Sequence, residues 1–310
     1  VNLHNFWVIG VISNPVRYKS RYDLHKKWIS KLSDQGVTNV LTVELQLGDR
    51  AHECHGPNII QFRHWDELWH KENMINQGIE RLPDSWEYVA VLDCDVFFLD
   101  SNWVEQTAHA LQRYMVVQPW QNCLDLGPNG ETLQVHNSFI YSYLNGLPFG
   151  KSKYGYEHYP FWHPGFAWAY RREAIDHLGG MLDHAILGSG DHHMAMGLIG
   201  RMAASYPDQV TQSYKDRSLA WQDRAEKHIK RDIGYIPGTI GHWWHGKKKT
   251  RFYVERWKIL TDNQYDPTTD IKRDWQGLYQ LEVTTPRQIK LRDDIRQYFN
   301  SRLEDSIDVE

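Results

Sequence analysis

The fold is decided by the stretch Glu87-Tyr88-Val89-Ala90-Val91-Leu92-Asp93-Cys94-Asp95-Val96-Phe97-Phe98-Leu99. Glu87 to Leu92 is apolar on both faces, the pattern of an interior parallel strand covered by helices on each side. Two acids stand where that strand runs out. In open α/β sheets ligands lie outside the carboxyl ends of strands, so the pair marks a cleft. Residues i and i+2 of an extended chain share a face, and both carboxylates are therefore expected on one hard cation that a diphosphate would also bind. A lone acid here would read as a helix cap or a surface residue. Two acids, with Val96 to Leu99 burying the other side, point to function.

Upstream, Phe6 to Ile12 reads as a buried strand ended by Ser13-Asn14-Pro15, because proline removes a ladder donor. Tyr22, Trp28, Ile29 and Leu32 mark a helix stopped by Gly36. Val37 to Val43 and Asn58 to Phe62 read as strands, and Leu68, Ile75, Ile79 and Leu82 as an amphipathic helix halted at Pro83. The first hundred residues thus alternate β-α-β-β-α-β, which implies right-handed crossovers and an open, mostly parallel α/β sheet flanked by helices.

Beyond Asp100 short strands are expected at Tyr114 to Gln118, Ser138 to Tyr143 and Phe166 to Tyr170, with a hairpin over Leu124 to Val135. Helices are expected at Arg171 to Leu178, His192 to Ala204, Thr250 to Leu260 and Pro286 to Leu303. The organisation expected is one catalytic domain over 1–260, with a nucleotide-binding half (1–100) and a mixed acceptor half (101–260). A peripheral C-terminal helical extension over 261–310 completes it.

The chain has 310 residues, enough for one large α/β domain, and three cysteines (Cys54, Cys94, Cys123) without a C-x-x-C pair. That excludes a disulfide mini-protein or zinc ribbon and favours a reducing compartment. The longest apolar runs are strand-sized, and the opening residues show no charged region followed by an apolar one. A cytoplasmic enzyme is expected, in the host cytoplasm for a phage-encoded chain. Net charge is −4, yet Lys215 to Lys258 holds twelve Lys/Arg against five Asp/Glu. Such a stretch faces phosphate groups or is an ordinary solvated face.

Two enzyme classes place D-x-D after a buried strand. In metal-dependent nucleotide-sugar glycosyltransferases the pair and a divalent ion neutralise the leaving diphosphate. In haloacid-dehalogenase-type phosphatases the first acid, here Asp93, is the nucleophile. The phosphatase usually carries its pair on the first strand and needs a later G-D-x-x-x-D. Gly190-Asp191-His192-His193-Met194-Ala195 lacks the second acid. A catalytically silent sugar-binding module is the third alternative.

Four segments resemble the GT-A-fold glycosyltransferases. Asn14-Pro15-Val16-Arg17 with Arg21 is similar to the P-x-R loop that holds the nucleotide in galactosyltransferase-like members. Lys71 through Asn76-Gln77-Gly78-Ile79 is similar to the K-x-x-x-x-N-x-G helix before the metal motif, and Asp93-Cys94-Asp95 to the D-x-D itself. Gly188-Ser189-Gly190-Asp191 is similar to the G-G-E-D turn that delivers the base in inverting members, although no Glu precedes Asp191. The resemblance implies transfer of a hexose from a nucleoside-diphosphate sugar, UDP-glucose or UDP-galactose, to an acceptor hydroxyl with Mn²⁺ or Mg²⁺. The acceptor expected is a glycan or, as in phage-type base glucosyltransferases, a hydroxymethylated DNA base.

Gly241-His242-Trp243-Trp244-His245-Gly246-Lys247-Lys248-Lys249-Thr250-Arg251 is the densest chemical string. An extended chain places His242 and His245 on opposite faces, one reaching a cation and the other packing. By resemblance His245 completes the metal site with Asp95 and Asp93, and His242 is the alternate. Lys247 or Lys249 and Arg251 would supply positive charge to the diphosphate, and Gly246 a close backbone approach. Asp191 precedes a helix and reads either as its N-cap or as the base that takes the acceptor's proton. His192 and His193 are backup bases or acceptor contacts. Tyr159 to Trp168, with Trp162 and Trp168, reads as an acceptor-stacking platform or a hydrophobic plug.

Overall fold

The computed structural model describes residues 2–147 and 162–309. Strand β1 (Phe6–Ser13) leads into helix α1 (Lys19–Asp34), then β2 (Val40–Leu47), β3 (Ile59–His64), α2 (Lys71–Ile79) and β4 (Tyr88–Leu92). Next come β5 (Val96–Phe98), α3 (Trp103–Leu111), β6 (Val116–Gln118), β7 (Asn122–Leu126), β8 (Thr132–Ser138) and α4 (Phe139–Leu144). Then follow β9 (Trp162–His163), β10 (Ala167–Arg171), α5 (Arg172–Leu178), α6 (Gly190–Leu198) and α7 (Gln212–Arg224). The chain continues through β11 (Ile233–Tyr235), β12 (Thr239–His242), α8 (Arg256–Asp262), β13 (Ile271–Arg273), β14 (Tyr279–Leu281) and α9 (Pro286–Asn300).

The main sheet runs β3-β2-β1-β4-β10-β6-β11, and β10 alone is antiparallel to its neighbours. β4 lies inside it, between β1 and β10, as its two-sided apolar pattern requires. The alternation of side chains divides that strand between two cores: Val89 and Val91 face one cluster, Ala90 and Leu92 the other. Trp28, Leu32, Trp103 and Leu111 of α1 and α3 cover the second. A smaller sheet, β5-β12-β7-β8-β9, begins directly after the acids at the end of β4. The expected open, mostly parallel α/β sheet with a mixed second half is the architecture found.

Several expectations inside this frame are corrected. Ser138 to Tyr143 is not a strand. β8 ends at Ser138, whose hydroxyl accepts the Tyr141 N–H at 3.3 Å and caps α4. The helix expected over Thr250 to Leu260 is broken by Phe252 in the left-handed region (φ 48°), leaving a 3₁₀ turn at Lys248–Arg251 and then α8. α6 likewise ends before Gly200 (φ 76°) and does not reach Ala204. Helix α7 escaped notice because its buried face is only Tyr214, Ser218 and Trp221.

The C-terminal part is not peripheral. Thr285 and Gln288 form a capping box with Pro286 at the helix start, and Leu291, Ile295, Tyr298 and Phe299 of α9 join the same core as Val89 and Val91. Leu291→Ala should therefore cost about 2–5 kcal/mol of unfolding free energy in urea titration, the range for truncating a buried leucine. A peripheral helix would lose next to nothing.

Candidate active site

Asp93 and Asp95 leave the end of β4 in different directions. The Asp93 N–H donates to the Phe166 carbonyl at 2.8 Å, and the Asp95 carbonyl accepts the Trp243 N–H at 2.8 Å. Backbone pairing thus ties the acids to β10 on one side and to the β12 exit on the other. The Asp93 carboxylate is ion-paired with Lys71, the first residue of α2. Burial opposes charge on Lys71, but the Asp93 and Asp191 carboxylates outweigh it and hold the ammonium above its ordinary value. The expectation that both acids share one cation is corrected: Lys71 has taken Asp93.

Asp95 turns instead to two imidazoles. Its Oδ2 lies 3.0 Å from His245 Nε2 and its Oδ1 3.7 Å from His242 Nε2, while the two Nε2 atoms are 3.0 Å apart. The opposite-face expectation fails because β12 ends at His242 and the chain bends before His245. These three groups, and no others among the described residues, form a metal-capable cluster. Adjacent ligands of an octahedral ion with bonds of about 2.1 Å sit about 3.0 Å apart, close to the separations found. Asp95 Oδ1 is buried without a hydrogen-bond partner, so one acceptor is left to coordinate. Two imidazoles with one carboxylate suit a first-row transition ion better than Mg²⁺. Burial, with the Arg251 guanidinium beside it, pushes His245 down to about 4, leaving the neutral imidazole that a metal requires.

Behind this cluster stands Asp125, unnoticed in the sequence. Its Oδ1 accepts from His242 Nδ1 at 2.7 Å, which turns the Nε2 lone pair toward Asp95 and His245. Register places it there, since β7 and β12 pair with His242 opposite Asp125. Burial would raise the Asp125 carboxyl, but hydrogen bonds from His136 and His242 and the Lys248 ammonium hold it far below the usual range.

The cluster borders a cavity of about 200 Å³ whose wall includes Arg21, Lys71, Lys248, Arg251, Arg256 and Arg302. Against these six cations the wall carries three carboxylates, Asp93, Asp95 and Asp191. Asp191 is not the cap of α6. That position is Ser189, in the left-handed region (φ 80°) and held by Arg256 Nη2 on its hydroxyl at 2.5 Å. Asp191 stands in the first turn, with Oδ1 accepting the His192 N–H at 2.8 Å. Gly165 leaves room for its other oxygen, because a Cβ there would lie 2.6 Å from Oδ2. Glu72, also missed, packs under Gly190, and burial together with the Asp191 and Asp93 carboxylates pushes it up to about 8.

No family model matches this sequence, and no curated protein does. Solved structures do show similarity. A Drosophila β1,4-galactosyltransferase 7 mutant in complex with manganese, UDP-Gal and xylobiose is 13% identical, with 93% of this chain and 98% of that chain covered and a TM-score of 0.39. The catalytic domain of the same Drosophila enzyme with xylobiose is also 13% identical, at 92% and 98% coverage and a TM-score of 0.38. A 4-diphosphocytidyl-2C-methyl-D-erythritol synthase from Anaerococcus prevotii is 8% identical, at 94% and 99% coverage and a TM-score of 0.35. At such values the chemistry of the site rests on its own residues.

The remaining expected residues lie elsewhere. Asn14 bonds both the N–H and the carbonyl of Tyr18, closing the turn before α1, and Arg17 pairs at the surface with Glu53 at 3.5 Å. Asn76 clamps Met181 through both its N–H and its carbonyl. Lys247 lies 3.9 Å from Asp308, and neither it nor Lys249 is on the cavity wall, where Lys248 stands instead. Trp168 is buried and donates to the Pro164 carbonyl, and His193 is a core histidine between Ser205 and Tyr214. Trp162 packs on Phe139 and His192. Tyr159, Pro160 and Phe161 of the aromatic loop lie outside the described residues. Asp125→Asn should weaken Mn²⁺ binding about 10–100-fold in calorimetric titration, the usual effect of losing the partner of a ligating histidine. Unchanged affinity would detach Asp125 from the cluster.

Proposed function

We propose that this chain is a metal-dependent glycosyltransferase that moves a hexose from a nucleoside-diphosphate sugar, of the UDP-glucose or UDP-galactose class, to an acceptor hydroxyl. The carrying observation is the convergence of Asp95, His242 and His245 at a cation-rich cavity beyond the carboxyl ends of the parallel strands. Asp95, His242 and His245 would hold a divalent ion such as Mn²⁺, which would supply positive charge to the leaving diphosphate. Arg251 and Lys248 on the same wall add fixed cations, already oriented by His245 and Asp125. Asp191 takes the acceptor proton at Oδ2 while the hydroxyl oxygen bonds to the anomeric carbon from the face opposite the diphosphate. The carbon–oxygen bond to the diphosphate breaks with its electron pair passing to that oxygen, so the product is inverted. Asp93 and Lys71 keep the far side of the site neutral as a pair.

The rival readings fit less well. A phosphatase needs Asp93 free as a nucleophile, whereas it is engaged by Lys71. A sugar-binding module has no use for a three-ligand cluster beside a cationic wall. The basic stretch from Lys215 to Lys258 is not one free face. Lys248, Arg251 and Arg256 turn into the cavity, and Arg224 is spent on the Leu178 carbonyl. That weakens the case for DNA and favours a glycan hydroxyl as acceptor. Among the described residues no helix is long and apolar enough to cross a membrane.

Thermal shift with UDP, GDP and free sugars, each with and without Mn²⁺, tests the reading. Wild type should be stabilised by a nucleoside diphosphate only when Mn²⁺ is present. Asp95→Ala should lose that response and keep its own melting temperature. A UDP response in the variant equal to that of wild type would refute the site. Asp191→Asn should retain the donor response while sugar transfer drops about 10²–10⁴-fold in a product assay. Full turnover in this variant would remove Asp191 as the base.

A further inference from the structure

Two of the charged residues that follow α9, Arg302 and Glu304, are buried, in a stretch expected to be part of a peripheral extension. Arg302 is 4% exposed and lines the cavity, and Glu304 is 2% exposed. The segment is pinned along its length. Asp305 accepts the Lys19 and Ser20 N–H groups at 2.9 and 2.8 Å, Thr250 donates to the Arg302 carbonyl at 2.7 Å, and Trp244 donates to the Ser306 carbonyl at 2.9 Å. Gly246, one residue past the candidate ligand His245, has φ 87°, and a Cβ there would lie 2.9 Å from the Glu304 Cα. Only glycine lets the His245 loop and the C-terminal segment meet this closely.

The charges do not balance within the segment. Glu304 holds Arg21 in a two-bond fork at 2.5 and 2.7 Å and also lies 2.8 Å from Arg302 Nε, so one carboxylate serves two guanidinium groups. Arg302 is stacked over Trp69 at 5.1 Å and over Tyr298 at 5.8 Å, and both its Nε, ion-paired with Glu304, and its Nη1 are buried without a hydrogen-bond partner. Arg251 Nε is a second buried donor without one, and Arg251 Nη2 donates to His245 at 2.8 Å. Unmet guanidinium donors on a cavity wall beside a metal-capable cluster call for an anion with oxygens at more than one point.

We propose that Arg302 is a diphosphate-binding residue of the donor site, with Glu304 as the residue that positions it. This rests on the glycosyltransferase reading. It adds that the C-terminal segment forms part of the donor pocket, where a phosphate oxygen bonded to Arg302 and Arg251 lies on the same ligand as the metal-bound end.

The test is calorimetric titration of the full chain in Mn²⁺ with inorganic phosphate, inorganic pyrophosphate and UDP, using Arg302→Met, which keeps the stem and loses the guanidinium, and Arg302→Lys. Arg302→Met should weaken pyrophosphate and UDP by a common factor of about 10–100, the scale of a hydrogen bond to a charged group. Arg302→Lys should lose less, and Mn²⁺ affinity should not change in either. Tighter binding of UDP than of pyrophosphate identifies a nucleotide as the source of the diphosphate. Wild-type pyrophosphate affinity in Arg302→Met overturns the proposal and leaves the glycosyltransferase reading standing. So does a parallel loss of Mn²⁺ and pyrophosphate binding in Arg302→Lys, which would mark Arg302 as a brace. Wild type that binds neither pyrophosphate nor UDP with Mn²⁺ overturns both.

Discussion

Asp95 sits where two parts of the chain far apart in sequence meet, and the rest of the site depends on what its carboxylate touches. Strand β4 delivers it, the bend after β12 brings two imidazoles to it, and the backbone bond from Trp243 N–H to its carbonyl locks the two elements together. Burial of that carboxylate is costly, and the Arg251 guanidinium nearby offsets part of the cost. Each imidazole is held in turn: His242 by Asp125, and His245 by Arg251 and the tight turn at Gly246. The three groups are thus fixed in place by their neighbours.

Asp93 shows how a neighbour two residues away can take the other part. Lys71 begins the helix that covers β1 and β2, and its ammonium reaches Asp93. The two acids of the strand end therefore divide the site into a metal-capable half and a neutral, ion-paired half, with Asp191 and Glu72 behind the latter. Lys71 also brings positive charge close to Asp191.

The C-terminal residues join these halves to the frame. α9 anchors in the main core, and the segment after it carries Arg302 and Glu304 to the cavity while bracing the His245 loop. The same backbone contacts that close the fold also place Arg302 on the cavity wall.

Periodicity alone determined the α/β class, the central place of β4 and the position of the acids at its end, because burial on both faces of a strand leaves a local signature and a strand end has one address in an open sheet. His245 and Arg251 were legible as well, standing in a short string of ligand-type residues. What the chain by itself left open was settled by long-range packing. Asp125 is an ordinary acid in a hairpin until register sets it opposite His242. Lys248 differs from Lys247 and Lys249 only in the direction that a turn gives it. Arg302 and Glu304 look like a charged tail until α9 docks. Which acid meets the two imidazoles and which meets a lysine depends on residues far apart in sequence, and no local pattern encodes the separation of groups that only the folded core brings together.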